Sequence, residues 1–220
     1  MKFFLDTANL DEIKYAVEWG IVNGVTTNPS LIAKEGRPVH EQIARICDLV
    51  DGDVSAEVVA LDAAGMVREG RELARIHKNV VVKTPLIREG IKATSILAKE
   101  GIRVNVTLCF SAAQALIAAK AGAYIVSPFV GRLDDLGQDG MELIRQIVKI
   151  YDNYGYPTQV LAASLRTTNH LIGCAMAGVH ISTLSLKTMD ALFNHILTDK
   201  GLEQFLKDHH SVFSEVPVSR

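Results

Sequence analysis

Short β-branched runs recur along the chain at 2–6, 24–28, 54–60, 80–85, 103–109, 124–130, 159–164 and 180–186, with polar or turn residues closing each one. Between them the apolar positions change to a helical period. Ile43, Ile46, Cys47 and Val50 fall on one helix face, as do Ile144, Ile147, Val148 and Tyr151. Eight strand signals alternating with helix signals predict βα units and a parallel sheet. At 220 residues this leaves about 27 residues per unit, near the compact limit of a single-domain (β/α)8 TIM barrel. An open doubly wound sheet is the competing architecture, but it calls for a glycine-rich phosphate loop after an early strand. Neither G-x-G-x-x-G nor G-x-x-x-x-G-K-[ST] occurs.

Past the eighth strand, Met189, Leu192, Phe193 and Ile196 predict a helix that closes the last unit. A further helical segment with Leu202, Phe205, Leu206 and Phe213 is surplus to the barrel. The barrel domain is therefore read as residues 1–220, with 201–220 a C-terminal helical extension whose aromatic face packs on a neighbouring subunit.

Composition narrows the function classes. Hydrophobic content of 48%, charged content of 22% and a formal charge of -2 describe an ordinary globular chain. Lys and Arg are scattered rather than striped, which argues against nucleic acid or an anionic membrane as partner. No stretch approaches the roughly 18 apolar residues of a membrane span, and Asp6 interrupts the N-terminus too early for a signal peptide. Cys47, Cys109 and Cys174 form an odd set without C-x-x-C spacing, each in an apolar segment, which points to a reducing, cytoplasmic setting.

The chemistry is concentrated at predicted strand ends, where a parallel barrel assembles its site. Lys83, in Val80-Val81-Val82-Lys83-Thr84-Pro85, is the one lysine of twelve set inside a β-branched run. Burying an ammonium strips its hydration and favours the free amine, which is the nucleophilic form. Glu57 interrupts the run Val54-Ser55-Ala56-Glu57-Val58-Val59 and needs a partner there, for which Lys83 on the adjacent strand is the natural choice. Asp6 closes the first strand and Asn28 the second. Alternation puts Asn105 with Thr107, Ser127 with Phe129, and Ser164 with Arg166 on the inward faces of strands five, six and seven.

Singly, several of these have plainer readings. Taken alone, Asp6 with Thr7 reads first as a helix N-cap, Asn28-Pro29-Ser30 as a turn into a helix, Ser164 as a loop residue and Phe129 as core packing. Arg132 and Arg166 follow strands six and seven, where anions bind in such barrels, though each also fits a surface ion pair. The seven histidines, at 40, 77, 170, 180, 195, 209 and 210, form neither H-x-H nor H-E-x-x-H, so no metal or other cofactor is expected. Carbonyl chemistry then falls to the amine through a Schiff base.

Taken together, Phe4-Leu5-Asp6-Thr7-Ala8, Gly24-Val25-Thr26-Thr27-Asn28-Pro29-Ser30, Val82-Lys83-Thr84-Pro85, Asn105-Val106-Thr107-Leu108, Ser127-Pro128-Phe129-Val130-Gly131-Arg132 and Ala162-Ala163-Ser164-Leu165-Arg166 closely resemble the transaldolase family. The compact length resembles its short microbial subfamily, which includes fructose-6-phosphate aldolases. The resemblance implies that Lys83 forms the Schiff base with a ketose phosphate, that Asp6 handles the proton of the reacting hydroxyl, and that Glu57 works through a water held by Thr107. It further implies that Asn28, Asn105, Ser127 and Ser164 bind the dihydroxyacetone portion and that Arg132 and Arg166 hold the phosphate. The size of the expected homo-oligomer, a decamer of two pentamers, is implied by the resemblance alone. A transaldolase passes the three-carbon fragment to an aldose phosphate, whereas a fructose-6-phosphate aldolase releases it. Members of the second kind carry Gln and Tyr where this chain has Glu57 and Phe129. A non-catalytic sugar-phosphate-binding barrel would keep the arginines but has no need of Lys83 and Glu57 in apolar strands.

Overall fold

In the computed structural model, which describes residues 1–213 with side chains to Ser211, eight parallel strands close into a barrel in sequence order. They are β1 (Lys2–Asp6), β2 (Val22–Thr26), β3 (Asp53–Glu57), β4 (Val80–Pro85), β5 (Val104–Cys109), β6 (Ile125–Pro128), β7 (Gln159–Leu165) and β8 (Ile181–Leu184). β8 pairs back onto β1, which removes any free sheet edge. The predicted (β/α)8 barrel is thus observed, with strand boundaries moved by a few residues at most. β2 moves by two residues and ends at Thr26 because Asn28 and Pro29 are taken up by the next helix, and β3 ends three residues early, at Glu57.

Alternation along the strands explains both surfaces of the barrel wall. Phe4, Val81, Ile125, Leu161, Ala163 and Ile181 form one buried cluster inside it, with Tyr124 and Phe129 packed against them. Residues of the opposite parity, including Leu5, Val25, Val54, Val82 and Val106, are fully buried as well. Strands covered on both faces read as near-continuous apolar runs, which is why polar insertions stand out. Gly24 is required in this wall, because a Cβ there would lie 2.5 Å from the carbonyl oxygen of Asp53 and 2.5 Å from the Phe4 ring.

The helices carry the predicted faces: Ile43, Ile46 and Cys47 are buried on helix Val39–Leu49, and Ile144, Ile147, Val148 and Tyr151 on helix Gly140–Tyr154. The three cysteines are buried and unpaired, and burial pushes their thiols up to about 11 at Cys47, about 12 at Cys109 and about 11 at Cys174. None is a thiolate nucleophile at neutral pH.

A compact unit spans Met1–Met189 and a second begins at Asp190. In the second, a short 3-10 turn at Ala191–Phe193 precedes an 18-residue helix, Ile196–Phe213. This helix starts earlier than the extension expected from residue 201. Leu202, Phe205 and Leu206 are exposed on it, and so are Ile196 and Leu197. The expected apolar face is therefore present, although the side chain of Phe213 and the remainder of the extension, 214–220, lie outside the described residues. No described helix is long and apolar enough to cross a membrane.

Candidate active site

Register places the central residues side by side: the Cα partner of Lys83 is Glu57 on β3 and Asn105 on β5. The Lys83 ammonium lies 3.0 Å from Glu57 Oε2 and donates to the Thr27 carbonyl oxygen at 3.0 Å. Both partners are nearly enclosed, with side-chain exposures of 8% for Lys83 and 14% for Glu57. A buried ion pair of this kind is a poor device for stability, since desolvation of both charges offsets much of the attraction. What the contact offers is chemical: a carboxylate within 3.0 Å can accept a proton from the lysine.

Lys83 opens into a cavity at the C-terminal end of the barrel, also lined by Asp6, Thr26, Asn28, Thr107, Ser127, Phe129, Arg132, Ser164 and Thr183. Asp6 accepts a hydrogen bond from the Thr26 hydroxyl at 2.8 Å. Burial pushes its carboxyl above the ordinary aspartate range, against the lowering effects of Thr26 and of the Lys83 charge. Asp6 is not a helix cap; Asn9 caps helix Leu10–Val17, and the Thr7 hydroxyl donates to Glu12 at 2.6 Å. Asn28 does both jobs, since its Oδ1 accepts from the Leu31 amide as the N-cap of helix Pro29–Glu35 while the residue lines the cavity.

Below the cavity, the Ser127 hydroxyl donates to Asn105 Oδ1 at 2.7 Å and Asn105 Nδ2 donates to Ser55 Oγ at 3.1 Å. Asn105 is fully buried and stands behind the lining, next to Lys83. Thr107 is different: its hydroxyl is the sole buried side-chain polar atom without a partner among the described residues. A buried hydroxyl left unmatched costs about 1–3 kcal/mol, so this one is suited to receive a ligand or water.

Among the described residues, the two non-glycine residues with positive φ, Leu108 and Ser164, both at +60°, lie near the ends of β5 and β7. The pairing register shifts at each of these points. Left-handed backbone at a residue other than glycine costs about 1–3 kcal/mol and collects at functional sites. At β7 it corrects the expected parity. The inward residues are Leu161 and Ala163, and Ser164 joins the cavity only because the turn in its backbone breaks the alternation.

The two arginines are placed differently. Arg132 lines the cavity and lies over the Phe129 ring at 4.9 Å. Arg166 does not share the inward face with Ser164; its guanidinium forks onto Asp135, holding that carboxyl below its usual range, and it is half exposed. Its Nε packs where a Cβ on Gly131 would sit, 2.7 Å away, so glycine there lets helix Val130–Asp134 approach the end of β7. Thr26, Thr183 and Ser55 carry no signal in the sequence, because serine and threonine are ordinary strand residues and give no contrast in a β-branched run. No described group of three or more His, Cys, Asp or Glu is arranged to hold a metal ion.

Fold and site define a (β/α)8 barrel that encloses an amine, two carboxylates and an arginine at its C-terminal mouth. The sequence profile of the family described as transaldolase/fructose-6-phosphate aldolase matches residues 3–216, and the chain belongs to that family. It is 59% identical to a probable transaldolase of Caldicellulosiruptor saccharolyticus over 96% of this chain and 98% of the relative. A probable transaldolase of Sorangium cellulosum is 60% identical over 94% of this chain and 96% of its own length. One of Methanococcus maripaludis is also 60% identical, over 94% and 97%. Among solved structures, the carboxyl transferase domain of Rhizobium etli pyruvate carboxylase superposes with a TM-score of 0.60 at 11% identity, over 84% of this chain and 39% of that one. That likeness concerns the barrel fold alone.

Proposed function

We propose that this transaldolase-type enzyme transfers a dihydroxyacetone unit from a ketose phosphate, such as sedoheptulose 7-phosphate or fructose 6-phosphate, to an aldose phosphate through a Schiff base on Lys83. The observation that carries the reading is the contact between Lys83 and Glu57 beside a cavity that also receives Asp6. Glu57 takes the ammonium proton, and the free amine adds to the ketose C2 carbonyl; loss of water from the carbinolamine gives a protonated imine. The unpartnered Thr107 hydroxyl is suited to hold that water beside Glu57. Asp6 removes the proton of the C4 hydroxyl, the C3–C4 bond breaks, and its electron pair flows into the iminium to give an enamine while an aldose phosphate leaves. An acceptor aldehyde is then attacked by the enamine carbon, Asp6 returns its proton to the new alkoxide, and water releases the product from Lys83.

Asn28 and Ser164 line the cavity at positions suited to the hydroxyls of the three-carbon unit, and Ser127 is braced by Asn105. Arg132 is the cation suited to the sugar phosphate, and Arg166 would contribute by exchanging Asp135 for a phosphate oxygen. Release of free dihydroxyacetone is the alternative fate of the enamine, since the family description covers both activities. Glu57 and Phe129 favour transfer, because Phe129 has no hydroxyl with which to protonate the enamine.

The test is borohydride reduction with fructose 6-phosphate followed by peptide mass mapping, paired with single-turnover assays with and without erythrose 4-phosphate. An adduct on Lys83 and product formation that depends on the acceptor are expected. An unmodified Lys83 would remove the Schiff-base reading, and equal dihydroxyacetone release in both assays would turn the assignment to the lyase.

A further inference from the structure

The Thr26 hydroxyl has one proton and two oxygen neighbours. It lies 2.8 Å from Asp6 Oδ1 and 2.6 Å from Thr183 Oγ1. Thr26 on β2 and Thr183 on β8 come from the strands flanking β1, so their hydroxyls meet across its inward face, next to Asp6. Both threonines are almost wholly buried. An ionised Asp6 has no proton to give, which fixes the directions: Thr26 donates to Asp6, and Thr183 donates to Thr26. A protonated Asp6 can donate to Thr26 instead, and Thr26 then turns its proton toward Thr183. Only hydroxyl rotations separate the two patterns, and no heavy atom has to move.

Resting on the reading of Asp6 as the group that takes and returns the substrate hydroxyl proton, we infer that Thr26 and Thr183 form a reversible hydroxyl chain. The chain holds the Asp6 carboxyl in place and satisfies it in both protonation states. Thr183 touches no part of Asp6's proton transfer directly; it is a positioning residue that acts through Thr26. Oriented toward the carboxylate, the chain favours the ionised form, opposing the burial that disfavours it. The charged groups sharing the cavity with Asp6 are Lys83 from β4, whose partner on β3 is Glu57, and Arg132 from helix Val130–Asp134. The lining residues from β5 to β8 carry no charge, so the hydroxyl chain is what β8 contributes to the carboxylate.

Thr183→Val, Thr183→Ser and Thr26→Val test the chain in the full-length enzyme. The readouts are borohydride trapping with dihydroxyacetone, the pH profile of transfer, and the titration of Asp6 by carboxyl 13C NMR. Thr183→Val should still form the Lys83 adduct, because trapping breaks no carbon–carbon bond. Its transfer rate should fall about tenfold, and the Asp6 midpoint and the acid limb of the profile should move to higher pH. Thr26→Val should move both further, and Thr183→Ser should restore the parental values. A parental rate and midpoint in Thr183→Val, or a serine variant as impaired as the valine one while melting normally, would overturn the inference. Absence of a Lys83 adduct in the parent would instead overturn the functional reading, and the inference with it.

Discussion

β3 carries an acid at each end of its inward face, Asp53 where the strand enters the barrel and Glu57 where it leaves, and the two ends have been built to opposite purposes. Asp53 has every oxygen engaged. Oδ1 pairs with Arg103, and Oδ2 accepts from the Tyr124 hydroxyl at 3.2 Å. Arg103 also donates to the Lys78 carbonyl oxygen at 2.7 Å and lies over the Tyr124 ring at 5.3 Å. Its guanidinium is forked, planar and permanently charged, so this cluster can only hold the strand starts together. Glu57 pairs with a lysine, a cation that can give up its proton, and lines a pocket at the mouth together with the unpartnered Thr107. Saturated hydrogen bonding marks the stabilising end of a barrel. Groups left with something still to bind mark the end that reacts.

Breaking the ion pair at each end tests the comparison most sharply at the reactive one. Lys83 is the one amine lining the cavity among the described residues. Lys83→Met should therefore lower transfer by at least about 10³-fold, with no borohydride adduct. Glu57 is left without its partner but reaches the mouth of the barrel, where solvent can hydrate it. Stability by urea unfolding should stay within about 2 kcal/mol of the parent, below the cost of orphaning a fully enclosed charge. A variant that keeps even a tenth of the parental rate would show that Lys83 is not the nucleophile.

Asp53→Asn is the converse experiment and comes next in size. It removes the charge from the saturated cluster and leaves the Arg103 guanidinium facing a neutral amide. Because Arg103 is one-third exposed, the loss should be nearer about 2 kcal/mol than the full cost of a buried pair. Urea unfolding measures it, and kcat should remain at the parental value. If activity fell in step with stability, the two ends of the barrel would be coupled and the division of labour would fail.

How much of this was readable before folding follows the same division. The barrel was legible because strands covered on both faces keep their β-branched runs whole. Lys83 and Glu57 stand out because a charge inside such a run has no packing explanation, whereas Asp6, at a strand end, also reads as a helix cap and is marked out by the family resemblance. Ser164 was singled out on a parity that β7 does not keep; what turns it inward is a φ of +60°. Nothing in Ala162-Ala163-Ser164 announces that turn, since serine has no special claim on left-handed backbone. Arg166, one residue past the end of β7, pairs with Asp135 and does not line the cavity. The Asp53, Arg103 and Tyr124 cluster stayed hidden because its members sit at the starts of three strands, where a lone polar residue looks like a solvated end. Thr26 and Thr183 stayed hidden because threonine is at home in any strand.

Asp6 offers the finest measure of what the reactive end sacrifices. Burial raises its carboxyl above the ordinary value of 3.8, so the folded protein holds that proton more tightly than the unfolded chain does. The sign follows directly. Below 3.8 both states are protonated and Asp6 is neutral in its effect; as pH rises through the raised value, ionising it in the folded state costs stability that the unfolded chain does not lose. Asp6→Asn keeps an acceptor for the Thr26 hydroxyl and stays neutral at every pH. The variant should therefore be more stable than the parent at pH 7 while transferring about 10²-fold more slowly. Its stability advantage should shrink toward zero as urea unfolding is repeated at falling pH. An advantage that does not change with pH would trace the gain to packing, whereas one that vanishes near the ordinary aspartate range identifies it with the proton that Asp6 is held ready to accept.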